Sequence, residues 1–378
     1  MQPNTYQPRT STSVFVLLFV AGLLIGSIAV FYISFQQVNF LSDQVVVLQS
    51  QVSVLTGGGG NFTSENVTVY QNSTALASIY SEVRDSVVLV QGTTASGGVQ
   101  GSGFVYAFQN RMLVITNYHV VQDTTDLSVT FSDGNGYAVT VLGTDPYSDL
   151  AVVSADAPAS EFKPVRIVSS STLSVGDQVI AIGNPYGLVG SLTTGVVSAV
   201  GRTITEDTAG GYSIANIIQS STPINPGNSG GPLLNALGDV VGITTAIVSD
   251  SQGLGFAIPS NTILREISAL ISTGTYRGHS YLGVTGTDMD FATAQEIGSN
   301  VTYGWMIASV VSGGPSDGLL RLDDIVIAMN GTKIRNNDDL ASYLEEHTLP
   351  NDRLVITVAR GTTPTPVTVV LGIRPPPS

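Results

Sequence analysis

The sequence predicts a mostly β protein: a pair of β-barrels, then a smaller α+β unit, preceded by one apolar helix and a short helical stalk. Three observations carry this. Between about residues 86 and 258 the chain is a series of short apolar runs punctuated by Gly, Asn, Asp and Pro, the signature of closely spaced strands closing into barrels. After Thr273 the pattern changes, and a helix at 338–346 followed by a strand at 353–360 reads as α+β. At the other end, residues 10–42 contain no charged side chain.

Composition narrows the function classes. Hydrophobic residues make up 43% and charged residues only 11% of 378, enough apolar surface for large cores. The formal net charge is −14, which repels phosphate backbones and argues against nucleic acid as a partner. There is no cysteine, so a disulfide framework, a thiol nucleophile and a thiolate metal site are excluded. The three histidines are His119, His279 and His347; a histidine-rich metal site does not fit so few, and no cofactor is expected. Of the three, His119 stands inside an apolar run, while His279 and His347 read as linker and helix-surface residues without chemistry.

Residues 1–13 read as a cytoplasmic tail and residues 14–35 as a transmembrane anchor, long enough to span a bilayer. A cleaved signal peptide is the alternative, but Ala29-Val30-Phe31-Tyr32 offers no clear cleavage site. Arg9 before the span and Asp43 after it orient the remainder outward. In the stalk, residues 36–74, Val38, Leu41, Val45, Leu48, Val52 and Leu55 follow a heptad spacing. That pattern fits a short coiled coil or an ordinary amphipathic helix, and Val with Leu leans toward two strands. Gly57 to Gly60 then end it. Sequons at Asn61, Asn66, Asn72, Asn300 and Asn330 suit an extracytoplasmic glycoprotein.

The strands of the middle region place three chemical groups. His119 follows the apolar strand Leu113-Val114-Ile115-Thr116, Asp149 opens another strand, and Ser229 lies in Pro226-Gly227-Asn228-Ser229-Gly230-Gly231-Pro232. A serine hydroxyl is a poor nucleophile until an imidazole takes its proton. The imidazole in turn needs a carboxylate to hold its tautomer. The amides of Gly227 and Ser229, in a tight turn, can converge on one oxyanion. Each group alone has an ordinary reading: a hydrogen-bonded core histidine, a turn aspartate, a glycine-rich turn. Their joint occurrence in the order His, Asp, Ser is what points to nucleophilic catalysis.

These stretches, with Gly101-Ser102-Gly103-Phe104, Ala181-Ile182-Gly183-Asn184-Pro185-Tyr186-Gly187-Leu188 and Gly255-Phe256-Ala257-Ile258-Pro259-Ser260, resemble the HtrA/Deg family of serine endopeptidases. The resemblance runs from about Ala75 to the C-terminus. It implies a chymotrypsin-like double-barrel domain over 75–275 with His119, Asp149 and Ser229 as the triad. It further implies an oxyanion loop of Gly227, Asn228 and Ser229, and residues 254–258 as part of the specificity wall. The position six before the nucleophile is Pro223, followed by Ile224. With Leu254, Gly255 and Phe256 this predicts an apolar pocket and cleavage after small or aliphatic residues. The loop 201–212 corresponds to the one the family uses to sense activators, and the segment 92–100 is too short for a long inhibitory insertion.

For residues 276–378, Tyr281-Leu282-Gly283-Val284 resembles the carboxylate-binding loop of a PDZ domain. Such a groove takes an extended peptide as an added strand. Asp323 stands where the family often has glycine, so an altered turn is expected before Ile325. The resemblance implies unfolded or misfolded proteins as substrates, peptide C-termini as PDZ ligands, and a homotrimer where the heptads lean to a dimer. A non-proteolytic peptide-binding scaffold is the reading from another class; a degenerate triad would favour it.

Overall fold

The computed structural model describes residues 73–184, 190–206, 212–225, 227–245, 254–361 and 363–376. The predicted anchor, heptads, Gly57–Gly60 hinge and the asparagines of the first three sequons lie outside the described residues. So do Pro226 and residues 185–188. Among the described residues, no helix is long and apolar enough to cross a membrane.

A helix α1 (Ser73–Val83) leads into six strands: β1 (Val87–Thr94), β2 (Gly97–Phe108), β3 (Arg111–Thr116), β4 (Thr125–Thr130), β5 (Gly136–Asp145) and β6 (Leu150–Ala155). A one-turn helix α2 (Tyr118–Val121) sits between β3 and β4. The strands close in the order β1-β2-β3-β6-β5-β4. A second barrel is built from β7 (Gln178–Gly183), β8 (Ser191–Glu206), β9 (Tyr212–Ser220), β10 (Pro232–Leu234), β11 (Val240–Thr245) and β12 (Gly255–Pro259). It closes as β10-β11-β12-β9-β8-β7.

The continuous apolar runs have a direct cause: strands at the junction are buried on both faces. In β3, Val114 joins the interior of the first barrel, while Leu113 and Ile115 join the cluster between the barrels. In β7, Val179 and Ala181 fill the second barrel, while Ile180 and Ile182 face that same shared cluster. Helix α3 (Ser260–Thr273) adds Ile263, Ile267 and Leu270 to it.

One element departs from expectation. The predicted loop from Gly201 is strand as far as Glu206, since β8 runs through it. Gly201 has φ +73° and the ladder shifts register between Ala199 and Arg202. The glycine is therefore a bulge inside a strand rather than the start of a loop. Residues 207–211 lie outside the described set.

The C-terminal unit contains β13 (Ser280–Tyr281), β14 (Val284–Asp288), α4 (Phe291–Glu296), β15 (Trp305–Val310), β16 (Ile325–Met329), β17 (Thr332–Lys333), α5 (Asn337–His347), β18 (Arg353–Arg360), β19 (Thr363–Val370) and β20 (Gly372–Ile373). Its main sheet runs β14-β15-β16-β18-β19, with β17 on β16, so β14 is an edge strand. Trp305, Ile307, Val326, Leu354, Ile356 and Val358 form its core, covered by Leu340 of α5. Asp323 takes φ +64°, the left-handed conformation a glycine would supply. The turn it was expected to alter therefore keeps a glycine-like backbone.

Candidate active site

His119 and Asp149 come from the first barrel and Ser229 from the second. Strand β3 ends at Thr116, and α2 lifts His119 out of it with its side chain 19% exposed. Asp149 precedes β6 and is fully buried at φ +48°. A left-handed aspartate is strained, and its surroundings hold it there. Its carbonyl accepts from Tyr118 N–H at 3.1 Å and Asn117 Nδ2 at 3.0 Å. Its carboxylate accepts from the His119 amide at 2.9 Å and from Thr245 Oγ1 at 3.0 Å. His119 Nδ1 lies 3.0 and 2.9 Å from the two carboxylate oxygens. With Asp149 as acceptor, the imidazole proton is held on Nδ1, and Nε2 is the nitrogen left as a base.

Ser229 is 5% exposed. Its loop is fastened to β2. Ser102 N–H donates to the Ser229 carbonyl at 2.7 Å. Gly230, at φ +86°, admits no side chain: a Cβ there would lie 2.0 Å from the Ser102 carbonyl and 2.5 Å from Thr116 Oγ1. Its glycine is thus what lets the Ser229 loop pack against β2 and β3.

The amides of the turn are aimed by what holds the carbonyls. Asn228 N–H donates to the Asn225 carbonyl at 2.9 Å, and Gly227 has φ +98°. The Gly227 carbonyl accepts from Ser102 Oγ at 2.6 Å, and that hydroxyl accepts from Asn184 N–H at 2.9 Å. The Asn228 carbonyl accepts from Thr244 Oγ1 at 2.6 Å and Gly231 N–H at 2.9 Å. Because a peptide is planar and trans, pinning that carbonyl turns Ser229 N–H the opposite way. Ser102, Thr244 and Thr245 were given no role from sequence. Each is a buried hydroxyl whose partner is far along the chain, so no local pattern marks it.

The pocket residues divide. A Cβ at Gly255 would sit 2.9 Å from Ile224 Cγ1 and 2.3 Å from the Thr222 carbonyl. These residues therefore share a wall, and Ile224 packs on the second barrel's interior cluster. Phe256, by contrast, packs against the cluster between the barrels, and Leu254 is 42% exposed. Alternation along β12 separates Phe256 from Gly255, so the expected single wall of Ile224, Leu254, Gly255 and Phe256 is split.

In the C-terminal unit, Tyr281 pairs with Gly372 and Leu282 is buried. The Leu282 carbonyl accepts from Ser316 Oγ at 2.6 Å and the Gly283 carbonyl from Val311 N–H at 2.9 Å. Peptide planarity then turns the Gly283 and Val284 N–H groups away from those anchors. Val284 opens edge strand β14. At the far end of β14, Asp288 Oδ1 accepts from the Asn337 amide of α5 at 2.6 Å.

His279, expected to be an inert linker residue, is 4% exposed and lies in an ionic cluster. Its Nε2 is 2.5 Å from Asp145 Oδ2 and its Nδ1 3.1 Å from Glu345 Oε2. Burial opposes the charge on His279, but the hydrogen bonds to Asp145 and Glu345 outweigh it and push its pKa up to about 10. Burial opposes the charge on Glu345 too, yet His279 and Arg265 pull it down to about 2. Burial, then the charge of Asp145, pushes Glu266 well above the usual carboxylate range. Asp145, Glu266 and His279 lie close enough to share a metal ion, but both His279 nitrogens already serve carboxylates.

This cluster makes stability depend on pH. The His279 contribution is complete below pH 6.5 and is lost as pH rises toward about 10. The Glu345 contribution is complete above pH 4.5 and is lost as pH falls toward about 2. The raised Glu266 adds a loss that begins as pH climbs past 4.5. The cluster is therefore strongest in mild acid. Urea unfolding of the wild type and of His279→Ala is expected to differ by a few kcal/mol at about pH 5.5, with the gap closing by about pH 9.5.

Comparison with known proteins gives consistent findings. Residues 101–243 match the family model for a trypsin-like peptidase domain and residues 280–371 that for a PDZ domain. The chain is 39% identical over 277 residues to a probable periplasmic serine endoprotease, DegP-like, of Chlamydia trachomatis, covering 72% of this chain and 54% of that protein. It is 36% identical over 271 residues to the putative serine protease HhoA of Synechocystis, covering 69% of this chain and 68% of that one. Thus the chain spans little more than half the length of several curated relatives it matches. Among solved structures, an HtrA-type protease AlgW with tripeptide superposes with a TM-score of 0.65 at 30% identity, over 80% of this chain and 98% of that one.

Proposed function

The chain belongs to the HtrA/Deg family of serine proteases, and from that premise we propose that it is a membrane-anchored, outward-facing endopeptidase. Its substrates are unfolded or misfolded proteins, cut after small or aliphatic residues. The observation that carries this reading is the His119–Asp149 pair, with Nδ1 2.9 Å from Oδ2, beside a Ser229 turn whose carbonyls are tied back.

In the proposed reaction, His119 Nε2 takes the proton of Ser229 Oγ as that oxygen attacks the scissile carbonyl. The imidazolium so formed is stabilised by Asp149. The N–H groups of Gly227 and Ser229 bind the oxyanion. His119 then gives its proton to the leaving amine; a water deprotonated by the same histidine attacks the acyl-enzyme, and the acyl–Oγ bond breaks as His119 returns that proton to Ser229 Oγ. Gly255 and the adjoining Ile224, which follows Pro223, give the receiving pocket an apolar wall. The C-terminal unit binds peptide C-termini along β14, with the Gly283 and Val284 amides at the carboxylate. The uncharged run at 14–35 supports the anchor, and the periplasmic designation of a relative agrees with an outward-facing enzyme. The homotrimer follows from the family resemblance.

A cleavage map of a denatured proteome tests the substrate class. Wild type is expected to cut after Val, Ala or Ile, with peptides bearing free aliphatic C-termini raising turnover. Cleavage predominantly after Lys, Arg or large aromatics contradicts the pocket assignment.

A further inference from the structure

The turn that delivers Asp149 is held by groups from outside its own barrel. Asp145 and Leu150 pair across its base, closing β5 onto β6. Asp145 Oδ1 caps the turn by accepting Tyr147 N–H at 2.9 Å. The other carboxylate oxygen, Oδ2, is the one 2.5 Å from His279 Nε2. The Tyr147 ring meets His279 edge-on with centroids 5.4 Å apart. Over the same tyrosine ring lies the Arg374 guanidinium, 3.9 Å from the centroid, and the Tyr147 hydroxyl donates to the Pro375 carbonyl. Ser148 Oγ donates to Glu266 Oε1 of α3 at 2.8 Å. Next in the chain is Asp149, left-handed and buried.

Both ends of the C-terminal unit thus meet on this turn. His279 lies in the segment that enters the unit, and Arg374 and Pro375 follow its last strand. They are joined to each other, because Arg374 N–H donates to the His279 carbonyl at 3.0 Å. His279 also reaches Glu345 on α5, whose carboxylate is paired with Arg265 of α3. The titratable and charged groups facing or bordering this joint are Asp145, Glu345, Glu266, Arg265, Tyr276, Tyr147 and Arg374.

We propose that His279 is a positioning residue for the catalytic carboxylate: by holding Asp145 and Tyr147 it fixes the 145–149 turn, and with it the reach of Asp149 to His119. A strained αL aspartate stays in place only while its surroundings over-determine it. Loosening the turn lets the backbone at Asp149 relax, and a displacement of about 1 Å in a catalytic group is enough to cost rate. Docking of the C-terminal unit and competence of the catalytic dyad are in this way one event. The inference rests on the serine endopeptidase reading.

The test uses the full chain and compares wild type with His279→Gln and Arg374→Ala. Turnover of a peptide amide is expressed per active site titrated with a fluorophosphonate. His279→Gln is expected to lower kcat about tenfold with KM within about twofold. It also moves the acid limb of kcat/KM to lower pH, because an imidazolium deprived of Asp149 forms less readily. Arg374→Ala, which keeps the backbone bond from Arg374 N–H to the His279 carbonyl, shifts both in the same direction by about threefold. Arg166→Ala breaks an ion pair with Asp239 remote from the turn and serves as a control with neither shift. If both turn variants keep the wild-type kcat and acid limb while only their melting temperatures fall, the role is structural and the proposal is overturned. A wild type that cleaves nothing sinks the endopeptidase reading itself, and this inference with it.

Discussion

Replacing Ser229 with alanine is expected to lower kcat for any peptide bond by at least about 10⁴-fold while leaving the fold unchanged. Two bonds that hold the loop use the backbone: Ser102 N–H to the Ser229 carbonyl at 2.7 Å, and Gly230 N–H to the Thr244 carbonyl at 2.8 Å. Alanine preserves all of these. The variant should therefore unfold within about 1 kcal/mol of wild type and still bind C-terminal peptides at β14. Assay of casein hydrolysis beside fluorescence titration of peptide binding checks both halves. Loss of peptide binding together with activity would mean that the substitution had disturbed the fold.

Asp149→Asn is the second large effect, and the local hydrogen bonds say why. The carboxylate receives three donors: the His119 amide, Thr245 Oγ1 and His119 Nδ1. An asparagine amide must turn its NH₂ toward one of them. Thr245 can rotate its hydroxyl to accept, whereas the backbone N–H of His119 cannot. The settled arrangement keeps the asparagine oxygen on the amide and places NH₂ at the Oδ2 position, 2.9 Å from Nδ1. That stabilises the imidazole with its proton on Nε2, the wrong nitrogen for a base. The expected loss in kcat is about 10⁴-fold, partly recovered at alkaline pH, with little change in KM. Measurement across pH 6 to about 10 decides it; a loss smaller than tenfold would show that Asp149 does not set the tautomer.

How much of this was legible in the residues depended on range. The apolar alternation in 113–116 and 179–182 is local, so the strands and their two-faced burial could be read directly. Chain order and glycine flanks were enough to nominate His119, Asp149 and Ser229. The hydroxyls that aim the site could not be read this way. Ser102 lies 125 residues from Gly227, and Thr245 lies 96 from Asp149. A threonine in a strand looks like any strand threonine until the barrels close. The ionic role of His279 is hidden in the sequence for the same reason, since Asp145 and Glu345 are 134 and 66 residues away. At Gly201 a bulge and a loop have the same local sequence, and only pairing with β9 separates them. Gly255 and Phe256 are neighbours in sequence, yet strand parity puts them on opposite faces of β12, so adjacency does not place both on one wall.

The central claim is that Ser229 is the nucleophile and that the His119–Asp149 dyad activates it. Its most direct test is labelling the wild type and Asp149→Asn with a fluorophosphonate, followed by peptide mapping. The claim predicts one adduct per chain on Ser229 in the wild type, activity falling in step with labelling, and labelling of Asp149→Asn slowed by orders of magnitude. An adduct on another residue, full turnover in fully labelled protein, or equal labelling rates in the two proteins would contradict it.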